Sequence, residues 1–462
     1  MKALFHSSPP AAAGSRRPGR GSGKSHGSPR HETSRRKSLS SLEDRYESIG
    51  VDPRKLKSDA IVPVLVSMPD SAESRQSGFL CRDCAGIPSE EVFELPLVNG
   101  FSVYADRDRL RRLLEALPPQ ARIALNHEIE YPDPRKVLPM TTGEPEAGRP
   151  AAVTRLPGIE KVWEKGFTGA GQTIAVIDSG IYPHPDLNGK VTGWVDLSRE
   201  NRKRPADPFG HGTHVAGVLA GSGEKSAGKV KGVAPDAKLV GIRITTVAEA
   251  IKGLQWVIEN REKYNINVVN LSLGDFASKS YKDDPWSQAV QKAIEAGLVV
   301  VVAGGNEGPD PKTISTPGIH PQAITVGAYD DKGTPATDDD SVASFSSRGP
   351  TVDGLIKPDI LAPGVRVFGT LSPGSNLDVP DLPHIGKDYM AMSGTSQATP
   401  MISALAALLL QANPALKQAD ILEILKASAA KNLDDDGNAQ GAGLVQADRA
   451  LELAQSWPNR PA

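Results

Sequence analysis

Five short apolar runs constrain the fold of this chain more than any other feature. They are Gln172–Gly180 (QTIAVIDSG), Ala237–Ile244 (AKLVGIRI), Ile266–Leu273 (INVVNLSL), Leu298–Gly304 (LVVVVAG) and Ala323–Ala328 (AITVGA). Each is short and rich in β-branched residues, so each predicts a strand. The runs are continuously apolar rather than alternating, the pattern of a parallel sheet covered on both faces. Helical stretches separate several of them. Val247–Tyr264 is one. Asp284–Ala296 is another, with Asp284 placed to cap it, Pro285 in its first turn and Gly297 just past its end. Strands alternating with helices predict an α/β fold with a doubly wound, mainly parallel sheet. Sites in such sheets form at the carboxyl ends of strands.

Polar residues cluster at those ends. Asp178 closes the first run. HGTHVAG (His211–Gly217) opens an apolar, small-residue helix. VVAGGNEGP (Val301–Pro309) sets Asn306 just past another strand. GTSQATP (Gly394–Pro400) sets Ser396 at the start of the helical run MISALAALLLQ. These residue types together make a nucleophile. A serine hydroxyl reacts poorly until a base takes its proton, and histidine can do so near neutral pH. A carboxylate behind the imidazole fixes its tautomer, and an amide donor stabilises the oxyanion. A helix N-terminus adds backbone N–H groups and a favourable dipole.

The four segments resemble those of subtilisin-like serine proteases, a family known for the order Asp, His, Ser and for an oxyanion asparagine. The resemblance extends through GVAPDAKL (Gly232–Leu239), NLSLG (Asn270–Gly274), ASFSSRGP (Ala343–Pro350) and KPDILAPG (Lys357–Gly364), from about Val153 to Ala454. The last two most resemble the AprX-type bacterial branch. The resemblance implies a serine endopeptidase working through an acyl-enzyme. Asp178 would orient His211, His211 would be general base and acid, Ser396 the nucleophile and Asn306 the oxyanion donor. Ser272, Leu273 and Gly274 would pair with substrate backbone, with Gly304 and Gly305 on the opposite wall of the P1 pocket. His214 lies one turn from His211, but without an HExxH motif a metal reading gives way to a structural one.

The rest of the chain divides by composition. Residues 1–40 carry nine Lys+Arg and one acid, against a net charge of -2 overall, and are rich in Ser, Gly and Pro. A leader over 1–58 is therefore expected to be disordered. Met1–Phe5 is not followed by the ~7–15 apolar residues of a secretory signal, which points to a cytoplasmic chain. Residues 59–130 predict a small α+β module: a strand at Ile61–Met68, two strands meeting at Asn99-Gly100, a helix at Asp106–Leu117 and a strand at Ala121–Ile129. It resembles the family's propeptide, which implies an intramolecular inhibitor. Residues 131–154 lack any hydrophobic period and predict a cleavable linker. The protease-like domain is expected over 155–455, with a tail at 456–462.

Four features depart from the family pattern or stand outside it. RITTVAEAIKGLQW is several residues shorter than usual after its strand, which predicts a more open cleft. Asp275 stands where a glycine often follows the SLG segment; it either favours a basic P1 residue or is a solvent-facing loop aspartate. AGSGEKSAGKVK lacks the Asn-rich wording of the strong calcium site of secreted subtilisins, so no metal or other cofactor is assigned. Asn432, Asp434, Asp436 and Gly437 follow calcium-loop order, but Gly443 stands where the bidentate Glu should be, so a turn is expected; Asp338–Ser341 reads as a solvated loop. Cys81 and Cys84 form a lone CxxC without the further ligands a zinc site needs. The expected partners are protein or peptide substrates and the chain's own module. The charge balance gives no reason to expect nucleic acid, and no apolar run reaches the ~18 residues of a membrane helix. The competing readings are a catalytically silent peptide-binding homologue, which would need a lost catalytic group, and another serine acyl-transfer enzyme. The order Asp, His, Ser argues against the α/β-hydrolase scheme.

Overall fold

The computed structural model describes residues 41–57, 59–69, 86–131, 156–334, 339–430 and 436–458. Cys81, Cys84, Asn432, Asp434, residues 1–40 and the linker beyond Tyr131 lie outside them. Helix α1 (Leu42–Ser48) opens with a capping box: Ser41 Oγ accepts from Asp44 N–H, and the Asp44 carboxylate accepts from Ser41 N–H. Tyr46 and Ile49 are buried in the core of the first module. The expected leader to residue 58 is thus corrected. Its end joins the module, because a capped turn can bury an aromatic and an aliphatic residue that composition alone does not weigh.

Strands β1 (Val62–Ser67), β2 (Val92–Leu95) and β3 (Gly100–Ala105), helix α2 (Arg107–Ala116) and strand β4 (Arg122–Leu125) complete the module. The sheet is antiparallel, in the order β2-β3-β1-β4. Asp106 caps α2, accepting from Arg109 N–H. The hairpin is joined through Pro96–Asn99 and not through a two-residue Asn99-Gly100 turn. Leu95 pairs with Gly100, Pro96–Val98 form a single 3₁₀ turn, and Asn99 takes the left-handed conformation at φ 49°. Val62, Val64 and Val66 of β1 face the module's own helices, whereas Leu65 faces away into the larger domain. Burial on both faces explains the continuous IVPVLV run.

The larger domain runs through α3 (Ile159–Glu164), β5 (Thr173–Asp178), β6 (Val191–Asp196), α4 (His211–Ala220), β7 (Lys238–Arg243), α5 (Val247–Tyr264), β8 (Ile266–Leu271), α6 (Pro285–Glu295), β9 (Val299–Ala303) and β10 (Ile324–Asp330). Then come β11 (Ser341–Val342), β12 (Ile360–Pro363), β13 (Val367–Thr370), β14 (His384–Ile385) and β15 (Tyr389–Met392). Four helices end it: α7 (Thr395–Ala412), α8 (Gln418–Ser428), α9 (Gly437–Gln440) and α10 (Ala447–Ser456). The main sheet has the order β11-β10-β9-β8-β5-β7-β6, with β12 also beside β10. Its pairings are parallel except for β11. Alternate residues of β5 enter opposite layers. Ile174 and Val176 meet the side that holds α4 and α7, and Ala175 and Ile177 meet the side that holds α5 and α6. The module's Leu65, Leu95, Val98 and Ile129 pack into that second layer. Among the described residues, no helix is long and apolar enough to cross a membrane.

Candidate active site

Four groups converge on the carboxyl edge of the main sheet. Asp178 is the last residue of β5 and His211 the first of α4; both side chains are fully buried. His211 Nδ1 lies 2.8 Å from Asp178 Oδ1, which also accepts from Ser179 N–H at 2.7 Å. With Nδ1 engaged by a carboxylate, the other ring nitrogen carries the available lone pair. His211 Nε2 is buried and, among the described residues, has no hydrogen-bond partner. The close approach of α4 to the end of β5 requires glycine: a Cβ on Gly212 would stand 2.1 Å from Gly180 O.

A buried carboxylate absent from the sequence reading builds this corner. Asp207 accepts from Ser179 Oγ, Gly210 N–H, Thr213 N–H and Thr213 Oγ1, at 2.7–2.8 Å. It thereby ties the strand end that carries Asp178 to the helix start that carries His211. His214 faces β13. Its Nε2 donates to Val367 O at 3.1 Å, and burial, helped by the nearby His211, pulls its pKa down to about 3. A neutral imidazole against the Gly369 backbone is a packing element.

Ser396 is the second residue of α7, buried at the helix N-terminus. Helices α4 and α7 pack on each other, so the first turns bearing His211 and Ser396 share one side of the sheet. Asn306 follows β9. Its Oδ1 accepts from Thr395 N–H at 2.8 Å and from Thr395 Oγ1 at 3.1 Å. That use of the oxygen leaves the amide NH₂ end as the donor beside Ser396. Thr395 Oγ1 also accepts from Gly305 N–H at 3.2 Å. Thr395 is thus a second positioning residue, signalled in sequence only by its place before Ser396.

The cleft walls join through Ser315 and Thr316. Gly304 O accepts from Ser315 N–H at 2.9 Å, and Asp275 and Thr316 exchange both backbone hydrogen bonds at 2.9 Å. Ser272 lies just past β8, and its Oγ accepts from buried Asn270 Nδ2 at 2.9 Å. Leu273 is buried; a Cβ on Gly274 would come within 2.5 Å of Ser315 Oγ. Gly305 has φ +110° and faces Ser315 and Ser347. The Asp275 carboxylate points to the module, where Oδ2 meets His127 Nδ1 at 2.6 Å. That contact holds His127 above the ordinary imidazole value.

The module's last described segment lies in this cleft. The expected strand to Ile129 leaves its own sheet after Leu125, because its backbone finds partners in the larger domain. Ile129 N–H donates to Thr245 O at 2.8 Å and Val247 N–H to His127 O at 3.0 Å, an antiparallel bridge. Asn126 Oδ1 accepts from Ala248 N–H at the start of α5. Glu249, buried in the first turn of α5, accepts from Thr245 N–H and Thr246 N–H and so holds the receiving segment. Tyr131 ends the run with its ring 5.0 Å from that of His211 and 4.7 Å from Phe209. Burial raises its phenol far above the usual value, so the group stays protonated.

Among the described residues, no group of three or more His, Cys, Asp or Glu side chains is gathered to hold a metal. Asp436 caps α9, accepting from Asn438 N–H at 2.9 Å, as a turn residue does.

Known proteins resemble this chain in sequence and fold. The sequence pattern of the Subtilase family matches residues 169–444. Serine protease AprX of Bacillus subtilis (strain 168) is 46% identical over 297 residues, 62% of this chain and 67% of that protein. Subtilisin Savinase of Lederbergia lenta is 37% identical over 292 residues, 62% of this chain and 93% of that one. The crystal structure of fervidolysin from Fervidobacterium pennivorans, an enzyme related to subtilisin, superposes with a TM-score of 0.62 at 24% identity; it covers 86% of this chain and 62% of the other. That last likeness concerns the fold.

Proposed function

The chain belongs to the subtilase family and is a subtilisin-like serine endopeptidase acting on protein or peptide substrates, and from that premise we propose the residues that carry the reaction and the state in which it is made. Ser396 Oγ attacks the scissile carbonyl as His211 Nε2 takes its proton. Asp178 holds the imidazole tautomer through Nδ1 and stabilises the imidazolium without itself becoming protonated. The Asn306 amide and backbone N–H groups at the start of α7 receive the oxyanion. His211 then returns the proton to the leaving amine, and water resolves the acyl-enzyme by the same steps in reverse. The observation that carries this reading is a buried imidazole whose Nδ1 is taken by a buried carboxylate and whose Nε2 has no hydrogen-bond partner among the described residues.

We further propose that the protein is a zymogen that processes itself. Residues 127–129 pair with the backbone at Thr245–Val247, and Tyr131 covers His211. A substrate needs the same space, so the module inhibits until the linker is cut. Intact mass of the purified chain, followed in time beside Ser396→Ala, tests both proposals. The wild type should lose roughly 14–17 kDa from its N-terminus, at ~110 Da per residue, and the variant should stay whole. If both are cut alike, the self-processing reading falls; if both stay whole, the module is a permanent domain or awaits another protease.

A further inference from the structure

Asp275 stands at the far end of the occupied cleft from His211. Its backbone is pinned by the paired bonds to Thr316. Oδ1 accepts from Phe276 N–H at 2.7 Å, which sets the carboxylate's orientation without help from the module. Oδ2 meets His127, with the carboxylate 26% and the imidazole 46% exposed. Four residues further along the same segment, Tyr131 lies against His211. An extended chain covers that distance in about 13 Å. Between them, Ile129 is buried while Glu128 and Glu130 are exposed.

We propose that Asp275 is a specificity-determining residue. It selects substrates with a basic residue four positions upstream of the one that packs on His211. The inference rests on the proteolytic reading above and deepens it. When the module leaves, Glu128, Glu130 and His127 leave with it, and an oriented carboxylate remains with one oxygen free. An extended substrate on the Thr245–Val247 backbone brings its own side chain to the place of His127. Lys, Arg or protonated His there restores the ion pair; Glu or Asp there is repelled. This places the basic preference upstream along the strand instead of at P1, whose walls the family resemblance assigns to Ser272–Gly274 and Gly304–Gly305.

The test uses the full chain, incubated until its peptidase activity is constant. A randomised peptide library is digested and the cuts are read by mass spectrometry. Two peptides differing only by Lys or Ala at the enriched upstream position are then timed. The wild type should show one enriched basic position at a fixed upstream distance and a Lys:Ala ratio in kcat/KM of about 2–5, as an exposed ion pair supplies. The ratio should shrink at 0.5 M salt. It should fall to about 1 in Asp275→Asn and favour Glu in Asp275→Lys. Equal upstream enrichment in wild type and Asp275→Asn, or a basic preference confined to the residue beside the cut, overturns the assignment. A library cut by the wild type without upstream preference, and left intact by Ser396→Ala, overturns only Asp275. Cleavage undiminished in Ser396→Ala, or absent in the wild type, overturns the proteolytic reading and this inference with it.

Discussion

Single residues make this site by occupying all but one of their polar atoms. His211 has Nδ1 engaged and Nε2 free; Asn306 has its oxygen engaged by Thr395, which leaves its NH₂ to donate. A donor preset in this way needs no reorganisation as charge develops. Asn306→Ala should therefore lower kcat by on the order of 10²–10³, the scale known for this family's oxyanion asparagine, with a smaller change in KM. Steady-state kinetics on one peptide decides it: a kcat within threefold of wild type would remove Asn306 from the oxyanion site. Asp178, His211, Asn306 and Ser396 were legible because each stands in a long motif at an element end. Asp207 was not, since its loop RPADPFG has no pattern and its role exists only once Ser179, Gly210 and Thr213 come together.

Elements carry the site by where they begin and end. The helix Val247–Tyr264 was readable from its apolar period, and the structure ends it at Asn265, which takes the left-handed conformation. Asp284 was readable as the cap of α6, and its Oδ2 accepts from Ser287 N–H at 2.7 Å. The structure adds that the same carboxylate holds Thr316 Oγ1, the residue whose backbone fixes Asp275. Burial raises the Asp284 pKa, and its partners hold it in check. Asp284→Ala should cost about 1–2 kcal/mol, as lost caps do, read as a lower urea midpoint; Asp284→Asn, which caps equally well, should recover most of it. An alanine variant as stable as wild type would show that the cap is idle. Strand β6 escaped the sequence reading. Gly193 and a polar residue interrupt VTGWVD, and at a sheet edge less burial is demanded of it.

Across the whole molecule, charge burial sets a pH dependence of stability. Asp340 is buried, and among the described residues its Oδ1 has no hydrogen-bond partner. Burial first, then the charges of Asp331, Asp339 and Asp330, push its carboxyl from 3.8 up to about 6. A folded value above the unfolded one favours the protonated form. That stability is fully present below the unfolded value and is lost as pH rises through about 6. Asp340→Asn should lose less stability than wild type between pH 4 and 7, measured by urea unfolding at each pH. Equal losses would take this carboxyl out of the account. Asp338–Ser341 was expected to be a solvated loop; Asp339 is exposed and Asp338 lies outside the described residues, but Asp340 is buried, which a run of acids cannot anticipate. Periodicity and caps are local properties, so the parallel sheet, its covering helices and the polar groups at strand and helix ends could be read from the chain alone. Long-range packing is what sends residues 126–131 from the module's sheet to the protease cleft, sets Tyr131 against His211 and turns Asp275 to His127. Those contacts join residues distant in the chain, and their geometry exists only after both cores have packed.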